Sequence, residues 1–395
     1  MIGKHVIPNL VLSQRSLDRM TRAASRYTAD ETGEAMVGLL VPDAQTDGVP
    51  TLYVLDTISP DETAIRAAHT FQQGDELQDE IIWWLQENWR YYRDKRRDSY
   101  GNALQAKWDV PLRYLGDWHK QPGYMIKPSF GDLMTALDWL DDPENGMESL
   151  LVPIVTLGHP STTDSSHATV NYLTVTQGDG TDTRVDFWYI HRDIRVFQPI
   201  FPTISAEDQL PGLTNYPWHL VNDDRYNTEI AQLHGEGLFT SVILWDSDGK
   251  LPLEVCFLTA RRGSEKVLII VTDWDYPRSA PQARLAPFVQ MDEDDNIYDI
   301  FEELWEQSET VQNPVGWTWA EDNYLIDYIR VVEKACDLRS SEPAAESTPQ
   351  TAAAPENNEA PPEPGGVIKI EVVDESETSD ETAADRTDVT EEEPL

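Results

Sequence analysis

The segment GDWHKQPGYMIKPSFGDL, residues 116–133, joins a predicted strand to a predicted helix. The strand is RYLGDWH at 113–119, and the helix is PSFGDLMTALDWL at 128–140. His119 therefore ends a strand, and Asp132 lies one turn into the helix that follows. An imidazole and a carboxylate that meet across such a loop are typical ligands of zinc, and a hydrolytic zinc site needs three protein ligands.

Strands and helices alternate around this segment. Apolar residues recur at helical spacing over 17–27 and 75–97. Apolar or β-branched runs predict the strands AMVGLLV, TLYVLDTIS, LLVPIVTL, TVNYLTVT and RVDFWYIH. This order indicates an α/β or α+β fold for a first domain at residues 1–203.

Prolines and a glycine in PIFPTISAEDQLPG, residues 199–212, mark the end of that domain. A second α+β domain is predicted at 208–338, with the helix YNTEIAQLHGEG, a three-strand meander (FTSVILWD, LEVCFLT, KVLIIVTDWDYP) and the helix-like stretch IYDIFEELW. Residues 340–395, rich in Pro, Ala, Glu, Ser and Thr, are predicted to be a disordered acidic tail. Within it, VIKIEVV at 367–373 is similar to a SUMO-interaction motif that adds to a partner's sheet edge, or it is an incidental apolar run in a solvated tail.

Composition limits the partners. The chain has 71 acidic and 30 basic residues and a net charge of -41, which repels phosphate backbones and anionic lipids. We therefore expect no nucleic-acid and no membrane partner. Two cysteines cannot form a disulfide framework, and the N-terminus lacks a continuous apolar segment of the secretory kind. These features predict a cytoplasmic protein.

The loop segment resembles the metal motif of the JAB/MPN (JAMM-type) metallopeptidase family. That motif has a glutamate early in the domain, then His-x-His, seven residues, Ser, two residues and Asp. Here His119 matches the first histidine and Gln121 stands at the second, while Ser129 and Asp132 match the last two positions. The segment GDWH ending at His119 is also similar to the Gly-Glu-Trp-His of bacterial members.

A second stretch, ETGEAMVG at 31–38, resembles the family's glutamate segment. It aligns Glu31 with the catalytic glutamate, and Glu34 is a rival in poorer register. The resemblance implies a JAB/MPN-like (cytidine-deaminase-like) fold, a zinc ion, Glu31 as general base and Ser129 as stabiliser of the oxyanion. It also implies ubiquitin-like conjugates as substrates. A plainer interpretation of Ser129-x-x-Asp132 is a helix capping box.

Gln121 departs from the family pattern. It leaves His119 and Asp132 as the only matched ligands, and a carboxamide is a poor substitute for imidazole on zinc. We therefore expect weak zinc binding at best.

The second domain resembles the ubiquitin-conjugating-enzyme/RWD fold through a strand followed by Tyr276-Pro277 and Pro281. A conjugating enzyme needs a thioester cysteine after that flap, whereas Cys256 precedes it and Cys336 lies far beyond it. The resemblance therefore implies a non-catalytic, RWD-like binding module. The alternative is an unrelated α+β domain in which Tyr-Pro is an ordinary turn.

Two functions follow. The first is a metal-free pseudoenzyme that binds ubiquitin-like modifiers or proteins of their conjugation pathway. The second is an active zinc isopeptidase with Glu31 as its base. Gln121 favours the first.

Overall fold

The computed structural model of this chain describes residues 6–46, 48–74, 76–99, 107–161, 169–247, 253–289 and 296–338. The chain as far as Ser340 forms one compact unit. It mixes helices and sheets, as predicted, while the division near 203–208 stays a prediction. The expected tail at 340–395, with its 367–373 segment, lies outside the described residues.

An eight-stranded mixed sheet organises the first half. The strands of this half are β1 (Asn9–Ser13), β2 (Gly33–Val41), β3 (Thr51–Ile58), β4 (Ile65–Ala67), β5 (Thr70–Gln72), β6 (Arg113–Lys120), β7 (Ser149–Leu151), β8 (Ile154–Pro160), β9 (Tyr172–Thr176), β10 (Thr181–Asp186), β11 (Trp188–His191), β12 (Gln198–Pro199) and β13 (Pro202–Ser205). The sheet order is β13-β1-β3-β2-β6-β8-β10-β9. Strands β12, β11 and β7 form a small second sheet, and β4 and β5 form a hairpin.

Helices cover both faces of the large sheet. They are α1 (Gln14–Arg26) and α2 (Glu76–Ser99). The next helix, α3 (Phe130–Asp141), packs mainly with residues of the small sheet. On one face α1 buries Leu17 and Met20 against the strands. On the other face α2 buries Trp84 and Trp89 against β2 and β3. Both β2 and β3 are buried along almost their whole length, because packed elements cover both of their faces.

Two predicted strands are each divided in the structure. LLVPIVTL is split into β7 and β8 around Pro153, which has no amide proton for a ladder. RVDFWYIH is split at Phe187, whose amide donates to Asn171 O outside the ladder. The break at Pro153 moves the chain from the small sheet to the large one, and the break at Phe187 moves it back. Periodicity alone does not reveal such a change of sheet.

The second half contains a five-stranded antiparallel sheet in sequence order. Its strands are β14 (Leu238–Trp245), β15 (Glu254–Arg261), β16 (Lys266–Thr272), β17 (Gln282–Pro287) and β18 (Glu309–Val311). The predicted three-strand meander is correct but incomplete, since β17 and β18 extend it. The helices are α4 (Trp218–Val221), α5 (Asp223–Gly235), α6 (Ile297–Gln307) and α7 (Leu325–Ala335).

The two cysteines of this half lie in different surroundings. Cys256 is fully buried on β15, and burial raises the pKa of its thiol. Cys336 caps the end of α7. The Tyr276–Pro277 peptide bond is cis. Among the described residues, no helix has both the length and the apolar character needed to cross a membrane.

Candidate functional site

Three of the predicted site residues come together at the end of β6. His119 Nε2 lies 3.5 Å from Asp132 Oδ1. The carboxamide nitrogen of Gln121 donates to Asp132 Oδ2 over 3.0 Å and lies 3.3 Å from His119 Nε2. Positions 119 and 121 share a face because side chains alternate along a strand.

Backbone hydrogen bonds fix this end of the strand. His119 N donates to Pro153 O over 3.1 Å, and Gln121 N donates to Val155 O over 3.0 Å. On the other side, Gly33 of β2 pairs with His119. The two side chains thus project from backbone that is held on both edges.

The N-terminus of α3 presents Asp132 to this strand end. Ser129 is the N-cap: its hydroxyl accepts from Asp132 N over 3.2 Å, and the Asp132 carboxylate accepts from Ser129 N. The capping-box interpretation is therefore confirmed by the geometry. A role for Ser129 on an oxyanion stays a prediction, and its hydroxyl is already used in the cap.

The Asp132 carboxyl is held in its ionised form. Burial raises its pKa, but the hydrogen bond and charge of His119, together with the amide and hydroxyl of Ser129, outweigh burial and lower the pKa to about 2. Asp132 is therefore a carboxylate at neutral pH, able to accept from Gln121.

Gln121 is buried, with 4% of its surface exposed. Its nitrogen faces the carboxylate, and its oxygen has no hydrogen-bond partner among the described residues. Reversing the amide would set Oε1 against the Asp132 carboxylate, where two acceptors repel. The hydrogen-bond network therefore requires the orientation with Nε2 inward.

This arrangement does not fit the three-ligand zinc site of the family. An amide nitrogen has no lone pair available for a metal. In this chain the amide nitrogen of Gln121 contacts His119 and Asp132, the two groups that would bind the metal. Within the described part of the chain, no three His, Cys, Asp or Glu side chains group closely enough to hold a metal ion.

Glu31 lies beside the centre. Its amide donates to Ala67 O of the β4–β5 hairpin over 2.8 Å. Burial raises the pKa of its carboxyl most, Asp132 raises it further, and the charges of His119, His69 and Lys120 lower it. This carboxyl is therefore close enough to the centre to interact with its charges.

Glu34 is buried on β2 and pairs with Trp118 of β6. Paired residues share a face, so Glu34 points away from the face of His119. It accepts from Ser59 Oγ over 2.5 Å. Geometry therefore favours Glu31 over Glu34 as the residue next to the centre.

Three titratable residues that the motif did not indicate adjoin the centre. Lys120 is buried. Burial lowers the pKa of its side chain, although the charges of Glu31 and Asp30 raise it. His69 lies in the turn of the β4–β5 hairpin. Asp117 lies two residues before His119, and burial raises its pKa to about 6. Lys120 and Asp117 flank His119 in sequence, whereas His69 comes near only because the hairpin folds back.

Four large apolar side chains are exposed in the loop before α3 and in its first turns, next to the centre in sequence. The exposed fractions are Tyr124 63%, Met125 51%, Phe130 76% and Met134 44%. Exposed apolar clusters of this kind are typical of surfaces that bind other molecules.

The centre of the second half is a structural cluster. Tyr276 donates to the completely buried Glu229, which also accepts from Arg225 Nε over 2.8 Å and from Leu325 N over 2.8 Å. The carboxylate ties α5 to the start of α7 and to the Tyr276 turn. These contacts explain a buried charge by packing and hydrogen bonding.

Comparison with known proteins adds little. No family model matches the chain, and no curated protein matches it. Among solved structures, the solution structure of a protein from Desulfitobacterium hafniense is 14% identical, covering 50% of this chain and 96% of its own, with a TM-score of 0.25. A likeness at that level supports no conclusion about fold or function.

Proposed function

We propose that the first half of the chain is a non-catalytic JAB/MPN-like scaffold. In this proposal it acts with an RWD-like second half to bind ubiquitin-like modifiers or proteins of their conjugation pathway. The family resemblance of the 116–133 segment supplies the partner class.

The observation that carries the proposal is the position of Gln121. Its amide nitrogen donates to Asp132 and contacts His119, so the strand end and the helix start are joined by a hydrogen-bonded side chain. A zinc hydrolase needs those two groups free to bind the metal. In this proposal Gln121 keeps the strand end and the helix start together but prevents zinc-dependent hydrolysis.

The apolar surface around the centre supports a binding role. Phe130 and Tyr124 are the most exposed of its four members. Aromatic side chains at the centre of an interface contribute much of its binding energy. We therefore expect a β-grasp protein of the ubiquitin-like class to cover this surface.

The test is direct binding of the full chain to a panel of purified ubiquitin-like proteins, measured by biolayer interferometry. We expect at least one member to bind and Phe130→Asp to weaken that binding about tenfold or more. The matched control is Phe201→Asp, since Phe201 is also an exposed aromatic at 47%. Absence of binding to every member, or equal losses in both variants, would refute the proposal.

The alternative is an active zinc isopeptidase. Its support is the position of Glu31, whose carboxyl interacts with His119 and Asp132 and has a raised pKa because of burial. Raised pKa values of this kind occur in general bases. Hydrolysis of a ubiquitin-like conjugate by the natural chain, lost in Glu31→Gln and dependent on added zinc, would favour this alternative over the scaffold.

A further inference from the structure

The two halves of the chain meet where the segment before α5 crosses α2. Helix α4 contacts α2 directly. Trp84 Nε1 of α2 donates to Asn215 O over 3.1 Å, and Leu213 and Leu220 pack with the buried apolar residues of α2. This junction, formed by residues 213–220 and α2, therefore helps to hold the second half to the first.

His219 lies in this junction among aromatic rings. Its ring centroid is 6.4 Å from that of Trp84 on α2, 6.3 Å from that of Trp218 and 5.8 Å from that of Tyr226 on α5. The Nδ1 atom of His219 is buried and has no hydrogen-bond partner among the described residues. Such surroundings favour a neutral imidazole, because a buried imidazolium needs a hydrogen-bonded counter-charge.

We propose that this junction is an acid-sensitive contact, in which protonation of His219 releases α4 from α2 and loosens the second half from the first. The proposal does not depend on the function proposed for the centre at His119. It rests on the position of the imidazole, on the charges around it and on the unpaired polar atoms of the same junction.

The titratable groups around His219 do not compensate for its burial. Helix α4 carries no other titratable side chain. Tyr226 faces the imidazole from α5, and the pKa of the Tyr226 hydroxyl is raised by burial and then by the charges of Glu80 on α2 and Asp223 on α5. Burial lowers the pKa of His219 to about 4, so its imidazole is neutral at about pH 7. As the pH falls below about 6.5, proton uptake increasingly favours the open junction, in which water can solvate the cation.

Two further buried polar atoms destabilise the closed junction. Thr214 Oγ1 on the crossing segment and Asn88 Oδ1 on α2 have no hydrogen-bond partner within the described part of the chain. Asn88 follows Trp84 by one helical turn, and its Nδ2 donates to Trp84 O over 2.9 Å. Because an unpaired buried polar group destabilises the state that buries it, we expect one added charge to open this contact while the sheets remain folded.

Hydrogen–deuterium exchange of the full chain, followed by mass spectrometry, tests the proposal. The reporters are the amides at the end of α4, where Asn222 N donates to Trp218 O over 2.9 Å. We expect their protection, corrected for the intrinsic effect of pH on exchange, to fall by up to about a hundredfold between about pH 7.5 and about pH 4.5. The amides of β15 should stay protected over the same range, because the opening is local.

His219→Phe keeps an aromatic ring that takes up no proton, so its α4 amides should lose less than about tenfold of their protection over this range. His219→Gln is also neutral throughout and replaces it if the phenylalanine variant does not fold. His234→Phe is the matched control, since His234 is exposed on α5, and it should behave like the natural chain. Equal losses in the natural chain and the His219 variant, or loss of protection in β15 together with α4, would overturn the proposal.

Discussion

Gln121 Nε2 lies 3.0 Å from Asp132 Oδ2, so a carboxamide joins the end of β6 to the first turn of α3. In the family that the motif resembles, a metal ion would join these two elements. Here the contact is a charge-assisted hydrogen bond to a carboxylate whose pKa is lowered to about 2, where the hydrogen bond and charge of His119 outweigh burial. The first predictions follow from this contact, in which the Gln121 amide takes the place of a metal ion.

Gln121→Ala removes one of the two hydrogen bonds to Asp132 Oδ2 and leaves the one from Ser129 N. Because one hydrogen bond contributes about 0.5–1.5 kcal/mol net, we expect the free energy of unfolding to fall by that amount. Urea denaturation followed by tryptophan fluorescence measures the change. Gln177→Ala is the control, since Gln177 is exposed and hydrogen-bonds locally to Val175 O. Equal stabilities for natural chain and Gln121→Ala would show that the contact contributes nothing.

Gln121→His restores an imidazole between the two remaining ligands. We expect its zinc affinity to rise by at least about tenfold over the natural chain, because a third ligand completes the set used by hydrolytic zinc sites. Isothermal titration calorimetry with zinc gives both constants. Asp132→Asn added to Gln121→His should abolish the gain. If both single and double variants bind zinc like the natural chain, the site assignment is wrong.

We expect Asp132 to stabilise the fold in a way that is lost in acid. Its pKa is about 2 in the folded chain, since the hydrogen bond and charge of His119 outweigh burial, whereas an unfolded aspartate has a pKa near 3.9. A lowered carboxyl pKa stabilises the fold above about pH 4, and this stabilisation is lost as the pH falls towards about 2. We expect Asp132→Asn to lose less stability than the natural chain across that window, measured by urea denaturation at each pH. Parallel curves would contradict this.

Asp117 should give the stability of the fold the opposite pH dependence, at higher pH. Burial raises its pKa to about 6, so the folded chain holds a proton that the unfolded chain has released. Its contribution therefore favours folding at low pH and is lost as the pH rises from about 4 through about 6. We expect Asp117→Asn to flatten the stability curve between about pH 4 and 7. Asp132 titrates at lower pH, so Asp132→Asn should leave the slope of the stability curve in this window unchanged.

Local patterns were sufficient for much of the site. The capping pair Ser129 and Asp132 and the strand ending near His119 were predicted because caps and strand periodicity act over a few residues. The helix α2 was predicted from the apolar spacing over 75–97 for the same reason. What these patterns fix is backbone geometry, and the alternation of the strand then places positions 119 and 121 on one face.

Longer-range features escaped prediction. His69 approaches Glu31 only because the β4–β5 hairpin folds back over residue 31, and no spacing encodes that approach. The strand breaks at Pro153 and Phe187 depend on which sheet the chain joins next.

Zinc stoichiometry of the full natural chain tests the central claim most directly. The chain would be purified without chelators, dialysed against zinc-containing buffer and then metal-free buffer, and analysed by elemental mass spectrometry. If Gln121 closes the site, zinc should be far below one ion per chain and should not change in Asp132→Asn. About one zinc per chain, lost in Asp132→Asn, would contradict the account and favour a metallopeptidase site.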